Sequence, residues 1–447
     1  CTSRTNCHLT MDFETDDKLA GNSSSNLNTL FIAYYFPPMG LSGVQRSVKF
    51  AKYLPENGWD VSVLTTTPAA YYAYDETLLD ELNNPKISIY RTQPDATRLA
   101  KKKGSNLIQY PSHFSQKLKR IILQSFLQPD SRIVWKKKAI KLAEEIIENN
   151  HFHTLLATAP PFTDFLIANE LSEKYEIPYV IDYRDLWVDN AYYYYLTPFH
   201  KMKAIKMETE VLTRAKRIIV INRFMKEKLL QRYKFLSHED ITIIPHGYDE
   251  EDFAPYRQLK PDPNYFTITH SGLFPDDLTP KYFLKALSIY LKKNQEAKHK
   301  IRAVFVGLMR KPHEKLVKKY NLGENVVLKG YLPHSECIKE LMQSDVLWMM
   351  SPNNIVTPSR LYEYIGARKP ILISIPNGNI KQTALETEAA IATEPRDTKA
   401  IIEAIDTYFE MWKKGSLPHP NIKNSQNYER RYLTRLLARE LAFSANY

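Results

Sequence analysis

Cysteine is scarce, with only Cys1, Cys7 and Cys337 in 447 residues. Their spacing fits neither a metal-binding pair nor a disulfide framework, which points to a reducing compartment. Cys337 reads as a buried or half-buried helix residue. No apolar run approaches the ~20 residues that a membrane-spanning helix requires. Residues 1–27 are polar, with Asp16-Asp17 and Ser23-Ser24-Ser25. They lack the apolar core of a secretory signal, so they are read as a flexible leader. Clusters of acidic residues that would demand a divalent metal are also missing, and neither a metal nor a cofactor is expected. The tyrosine runs Tyr71-Tyr72 and Tyr192 to Tyr195 contain no Lys or Arg. Stacking on single-stranded nucleic acid needs aromatic and basic residues interleaved, so nucleic acid is not an expected partner.

What remains is a globular composition, 43% hydrophobic and 25% charged, on a chain long enough for two α/β domains. The net charge of +11 calls for anionic company. Much of it lies between Arg98 and Lys141, where Phe114, Leu118, Ile121 and Ile122 would share one helical face with Lys117 and Arg120 at its flanks. Such a helix suits an anionic membrane surface. An ordinary domain helix with a solvated basic face reads the same way.

Strand-length apolar runs alternate with helical periodicity along the whole chain. In the first half, Leu30 to Phe36, Val61 to Leu64, Ile87 to Tyr90, Leu155 to Thr158, Tyr179 to Asp182, Ile218 to Ile221 and Ile241 to Ile244 read as strands. Three loops follow strands and should gather at one sheet edge. They are Pro37 to Gly43, which holds Gly40 and Gly43; Ala159 to Thr163; and Tyr183 to Trp187, which holds Arg184 and Asp185. The glycines suit a close approach to a phosphate or a plain tight turn. Arg184 and Asp185 pair with each other or face a cleft, and the apolar residues around them favour the cleft. Pro245 to Asp249 and Pro255 to Pro263 break the pattern. The expected divisions are 28–250, 251–425 and a closing segment 426–447 whose Leu433, Leu436, Leu437 and Leu441 share a helical face.

The second half repeats the alternation and contains the most informative stretch, Thr357 to Pro370. Thr357 has an N-cap oxygen, Pro358 suits the first helical position, and Gly366 with Pro370 supplies a stop. The helix would cross between the runs Asp345 to Met350 and Ile371 to Ile375, with its N-terminus at the ligand-binding edge of a parallel sheet. Free N–H groups there, with Ser359 and Arg360, suit a diphosphate. Glu363 on the same face can accept two hydrogen bonds from a ribose diol. A surface ion pair of Arg360 with Glu363 is the plainer alternative.

These motifs together resemble retaining glycosyltransferases of the GT-B fold, in the GT4 (glycosyl transferase group 1) family. The resemblance rests on Phe36-Pro37-Pro38-Met-Gly40 with Gly43-Val-Gln-Arg46, Gly58-Trp-Asp-Val-Ser-Val-Leu-Thr65, Ala159-Pro160-Pro161 and Asp182-Tyr-Arg-Asp-Leu-Trp187. It continues through Pro245-His-Gly-Tyr-Asp249, His270-Ser-Gly272 and Ser359-Arg-Leu-Tyr-Glu363 with Lys369-Pro370, and covers nearly all of the chain beyond the leader. It implies two Rossmann-like domains facing across a cleft, with a nucleotide sugar held mainly by the second. Glu363 then matches the ribose-binding carboxylate, Ser359 and Arg360 lie at the diphosphate, and Gly272 lies on the phosphate side. Gly40 and Gly43 approach from the opposite domain, and Arg184 and Asp185 lie near acceptor and sugar. The closing helix would cross back onto the first domain.

Three positions depart from the family pattern. Eight residues before Glu363, where relatives often carry another glutamate, stands Ile355, leaving Asn353 or Asn354 to contact the sugar. After the His-Ser-Gly loop stands Asp276-Asp-Leu-Thr-Pro280, with Lys281 the nearest cation. Phe162 follows Pro161 where a His is common. The resemblance implies sugar transfer to a saccharide or lipid-linked acceptor in polysaccharide or cell-envelope glycan synthesis, in the cytoplasm or at the inner face of the membrane. Two rivals are a sugar-nucleotide epimerase on the same fold and an inactive binding protein of an assembly complex.

Overall fold

The computed structural model describes residues 27–40, 42–67, 74–93, 126–190, 193, 195–274, 278–353 and 357–446. The helix expected around Phe114 to Ile122 and the candidate Asn354 lie outside them.

Seven parallel strands form the first lobe: β1 (Leu27–Ile32), β2 (Trp59–Thr66), β3 (Ile87–Thr92), β4 (Thr154–Ala159), β5 (Tyr179–Tyr183), β6 (Arg217–Val220) and β7 (Ile241–Ile243). Their order is β3-β2-β1-β4-β5-β6-β7. Every residue of β4 and β5 is buried, as expected of central strands covered by helices on both faces. Strand β1 ends at Ile32, earlier than the apolar run to Phe36 predicts. The run stays apolar because Ala33 and Phe36 are buried beyond the strand's end, and burial in a loop mimics a strand in sequence.

The second lobe holds β8 (Phe266–Ser271), β9 (Ile301–Val306), β10 (Val326–Gly330), β11 (Val346–Met350), β12 (Ile371–Ser374) and β13 (Ala390–Thr393). The order is β10-β9-β8-β11-β12-β13, again all parallel. In both sheets the order reverses beside the first strand, between β1 and β4 and between β8 and β11. That reversal opens a crevice at the carboxyl ends where open α/β sheets take ligands. The architecture is the two-lobed α/β GT-B fold that the motifs imply.

The chain passes between the lobes twice, at 245–253 and at 428–430, and the two passages lie side by side. Tyr248 N–H donates to the Tyr428 carbonyl at 3.0 Å and Arg430 N–H to the Tyr248 carbonyl at 2.8 Å. Only glycine fits at 247, where an added Cβ would lie 2.2 Å from the Tyr428 carbonyl oxygen. The last helix, Arg430–Ala445, buries Leu433, Leu437 and Leu441 among Phe31, Val44, Val48 and Ile219 of the first lobe. No helix of the described residues is long and apolar enough to cross a membrane.

Candidate active site

The helix Arg360–Ala367 sits between β11 and β12. Its inner face is fixed by Leu361, Tyr364 and Ile365, all buried with Ile338 and Leu341 of the neighbouring helix His334–Met342. Its boundaries differ from expectation at both ends. Thr357 is no N-cap: its hydroxyl accepts from Asn222 of the other lobe at 2.7 Å, and Ser359 precedes the first helical residue without a side-chain cap bond. Gly366 is no stop but lies inside the helix, where a Cβ would meet Tyr248 and Phe253 at 2.7 Å; Arg368, at φ 57°, ends the helix. Close packing, not chain reversal, explains that glycine.

At the start of this helix Arg360 folds onto the loop after β8. Its Nη1 donates to His270 Nε2 at 2.9 Å and its Nη2 to the Leu273 carbonyl at 3.2 Å. His270 Nδ1 lies 3.0 Å from the Trp348 carbonyl, so that nitrogen carries the proton and Nε2 is free to accept. Burial, reinforced by the Arg360 charge, holds the His270 pKa well below the usual value, so the ring is neutral. One helical turn on, the Tyr364 hydroxyl accepts from Ser271 N–H at 2.8 Å and donates to the Trp348 carbonyl at 3.1 Å. The guanidinium lies so close to Gly272 that a Cβ there would stand 2.7 Å from Nη2, and the φ of 111° independently requires glycine. Arg360 is half-buried, and burial works against its charge. No carboxylate among the described residues pairs with it; Glu363 acts only at a distance. A cation held by a neutral ring and a carbonyl suits an anionic guest.

Glu363, three residues on, faces the gap between the lobes. It shares that gap with Ser359 of the same helix, Gln45 and Lys49 of the first lobe, and Arg430 of the second crossing. His334 Nε2 stands 3.5 Å from Glu363 Oε1. Burial disfavours the imidazolium, but the bond to Glu363 and the charges of Asp252 and Glu363 outweigh it and raise the pKa. The backbone N–H of His334 donates to Asp75 of the first lobe at 2.9 Å, so a carboxylate from one lobe caps a helix of the other.

Across the gap, Arg46 and Asp182 form an ion pair at 2.7 Å with both side chains fully buried. Arg46 also donates to the Pro245 and Ile244 carbonyls at 2.7 and 2.9 Å, and Asp182 accepts from Thr158 at 2.8 Å. This pair binds the first helix, Ser42–Tyr53, to β4, β5 and the exit from β7. Arg184, expected to face a cleft and a guest, instead donates both terminal nitrogens to the backbone carbonyls of Gly43 and Pro160. It is a strut between the three predicted loops, and Gly43 is glycine because a Cβ would lie 2.8 Å from its Nη1. Gly40 is buried in the loop after β1. Asp185 is half-buried, and burial, opposed by Arg184, pushes its carboxyl up to about 6. Lys281 is exposed at the start of its helix with its ammonium 5.5 Å from the Tyr282 ring, and no contact joins it to Arg360.

The carboxylates of Glu81, Asp249 and Asp252 come within ligand reach of one another, yet they surround the Lys49 ammonium at 2.5, 2.7 and 2.6 Å. A lysine already fills that position. Sequence reasoning assigned no role to His270, although it stands in a quoted motif, and missed His334, Lys49 and Tyr364. Tyr364 carries a helical signal, four residues after Arg360. His334 carries none, because its partners come from distant segments.

Two parallel-sheet lobes, with a guanidinium at a helix start and a carboxylate turned into the gap, make up a GT-B architecture. Residues 41–252 match the model of Glycosyltransferase Family 4 and residues 256–427 that of Glycosyl transferases group 1. Between them they take in both lobes, and the chain is a GT4-like glycosyltransferase. Similar solved structures include HepE from Anabaena in complex with UDP and glucose (14% identity, TM-score 0.60, covering 93% of this chain and 99% of that one). A glycosyltransferase from Rickettsia africae is similar at 15% identity and TM-score 0.61, covering 94% and 99%. Sucrose-phosphate synthase from Thermosynechococcus elongatus follows at 14% and 0.59, covering 94% and 97%. No curated protein sequence matches the chain.

Proposed function

We propose that the protein transfers a hexose-type unit from a nucleoside diphosphate sugar to a hydroxyl of a saccharide or lipid-linked acceptor, with retention of anomeric configuration, in the assembly of a polysaccharide or envelope glycan. The observation that carries this reading is Arg360, a charged group held by a neutral histidine and a carbonyl and lacking a carboxylate partner among the described residues. Departure of the diphosphate is the difficult step, because negative charge grows on the leaving oxygens as the sugar carbon becomes cationic. Arg360 and the amides of the helix start offset that charge, and His270 aims the guanidinium without neutralising it. Glu363 takes the ribose hydroxyls, exchanging its contact with His334 for them. Asp185, its carboxyl pushed up to about 6 by burial, accepts the proton of the incoming hydroxyl. HepE has been solved with UDP-glucose, which favours uridine diphosphate sugars as the first donors to try. We place the enzyme in the cytoplasm at an anionic membrane surface, where a lipid-linked acceptor is presented.

Thermal shift with a panel of nucleotide sugars tests the site, since a donor at ~100 times its dissociation constant adds roughly 2.7 kcal/mol to stability. Arg360→Ala should lower turnover ~10²-fold, the size of one lost oxyanion donor. Turnover without any added acceptor, giving an epimerised donor, would overturn the transfer reading.

A further inference from the structure

We propose that the start of the helix Pro198–Arg214 is the surface by which the protein docks on an anionic bilayer. Among the described residues the three most exposed large apolar side chains are Phe199 at 79%, Phe126 at 70% and Met202 at 63%. They lie together. Phe199 and Met202 are one turn apart on the solvent side of the helix, opposite the buried Ala204, Glu208 and Val211. Phe126 approaches the same helix start from a separate segment, its ring 6.0 Å from that of His200, while Gln128 donates to the His200 carbonyl at 2.8 Å. Exposing three such side chains at one place has no folding benefit and marks a surface that is covered in use.

Charge selects the cover. Lys201, Lys203 and Lys206 are exposed on the same helix, two of them continuing the stripe of Phe199 and Met202 at i+4 and i+7. Aromatic and thioether side chains ringed by lysines suit an anionic headgroup layer over an acyl boundary. Topology also favours it. The helix follows β5 and runs back toward β6, so Pro198 lies at the sheet edge where Gly43, Arg184 and Asp185 gather. A bilayer against this end presents a lipid-linked hydroxyl to the gap between the lobes. The inference deepens the membrane reading given above and rests on it.

Co-sedimentation with vesicles of phosphatidylglycerol and phosphatidylcholine in equal parts, without donor or acceptor, tests the proposal. The wild type should bind these vesicles, bind phosphatidylcholine alone far less, and release as salt rises. Phe199→Ser/Met202→Ser should weaken binding by roughly tenfold per side chain. Lys201→Gln/Lys203→Gln/Lys206→Gln should weaken it roughly fivefold per lysine and flatten the salt dependence. Transfer to a soluble acceptor should stay unchanged in both variants. Equal vesicle binding by wild type and variants would overturn this surface and leave membrane docking standing. No binding by the wild type would overturn both, as would light scattering that shows Phe199-dependent self-association in place of vesicle binding. Sugar transfer itself is measured separately and is untouched by either result.

Discussion

Gly272→Ala probes the Arg360 cradle without touching the arginine. The new methyl would stand 2.7 Å from Nη2 and 2.8 Å from Cζ, and the backbone at φ 111° is one that an L side chain rarely adopts. Strain of that kind costs about 1–3 kcal/mol, which urea unfolding reads directly. The guanidinium must also swing off the loop, lengthening its bonds to His270 and Leu273. Turnover should then fall ~10²-fold, because one stabilising donor no longer meets the leaving diphosphate. The decisive comparison is Gly272→Ala in the Arg360→Ala background. If the methyl acts through the guanidinium, the double variant turns over no more slowly than Arg360→Ala alone, since residues acting as a unit do not add. Additive losses, or a Gly272→Ala enzyme of normal turnover, would refute the cradle.

Arg46→Met should destabilise the protein by about 3–5 kcal/mol by stranding the buried Asp182, and Arg46→Met/Asp182→Leu should recover most of it, as measured by chemical denaturation. With the pKa of His334 raised in the folded chain, its stabilising contribution is complete below the unfolded value of 6.5 and is lost as pH rises through the folded value. His334→Gln should therefore flatten stability above pH ~6.5, and an unchanged pH profile would remove the imidazolium from the account. If Asp185 accepts the acceptor proton, kcat should fall as pH drops below about 6, and Asp185→Asn should abolish that limb along with most activity.

The succession of strands along the chain and the two-lobed plan were legible because buried parallel strands leave long apolar runs that differ from helical periodicity. Errors arose where one signal has two physical causes. Phe36 is apolar for burial in a loop, Gly366 is small for the approach of Tyr248 and Phe253, and Thr357 bonds across to Asn222 instead of capping its own helix. Ser359, Arg360 and Glu363 were legible as one helix start, but their division of labour was not. Arg360 turns to a histidine 90 positions earlier and Glu363 to the gap, choices set by partners far away in sequence. Arg184 shows the same limit, since an adjacent pair of opposite charges does not reveal that backbone carbonyls claim the guanidinium.

The glycine at 247 brings the outgoing and returning chain into backbone contact, so the lobes are pinned at one side by two strands that cannot part independently. Such a double pin permits swinging but resists sliding or full separation. The Asp75 cap on the helix at His334 and the Asn222 bond to Thr357 then act as catches on a door. Any swing that widened the gap would part those two bonds while leaving the pivot at Tyr248 and Tyr428 in place.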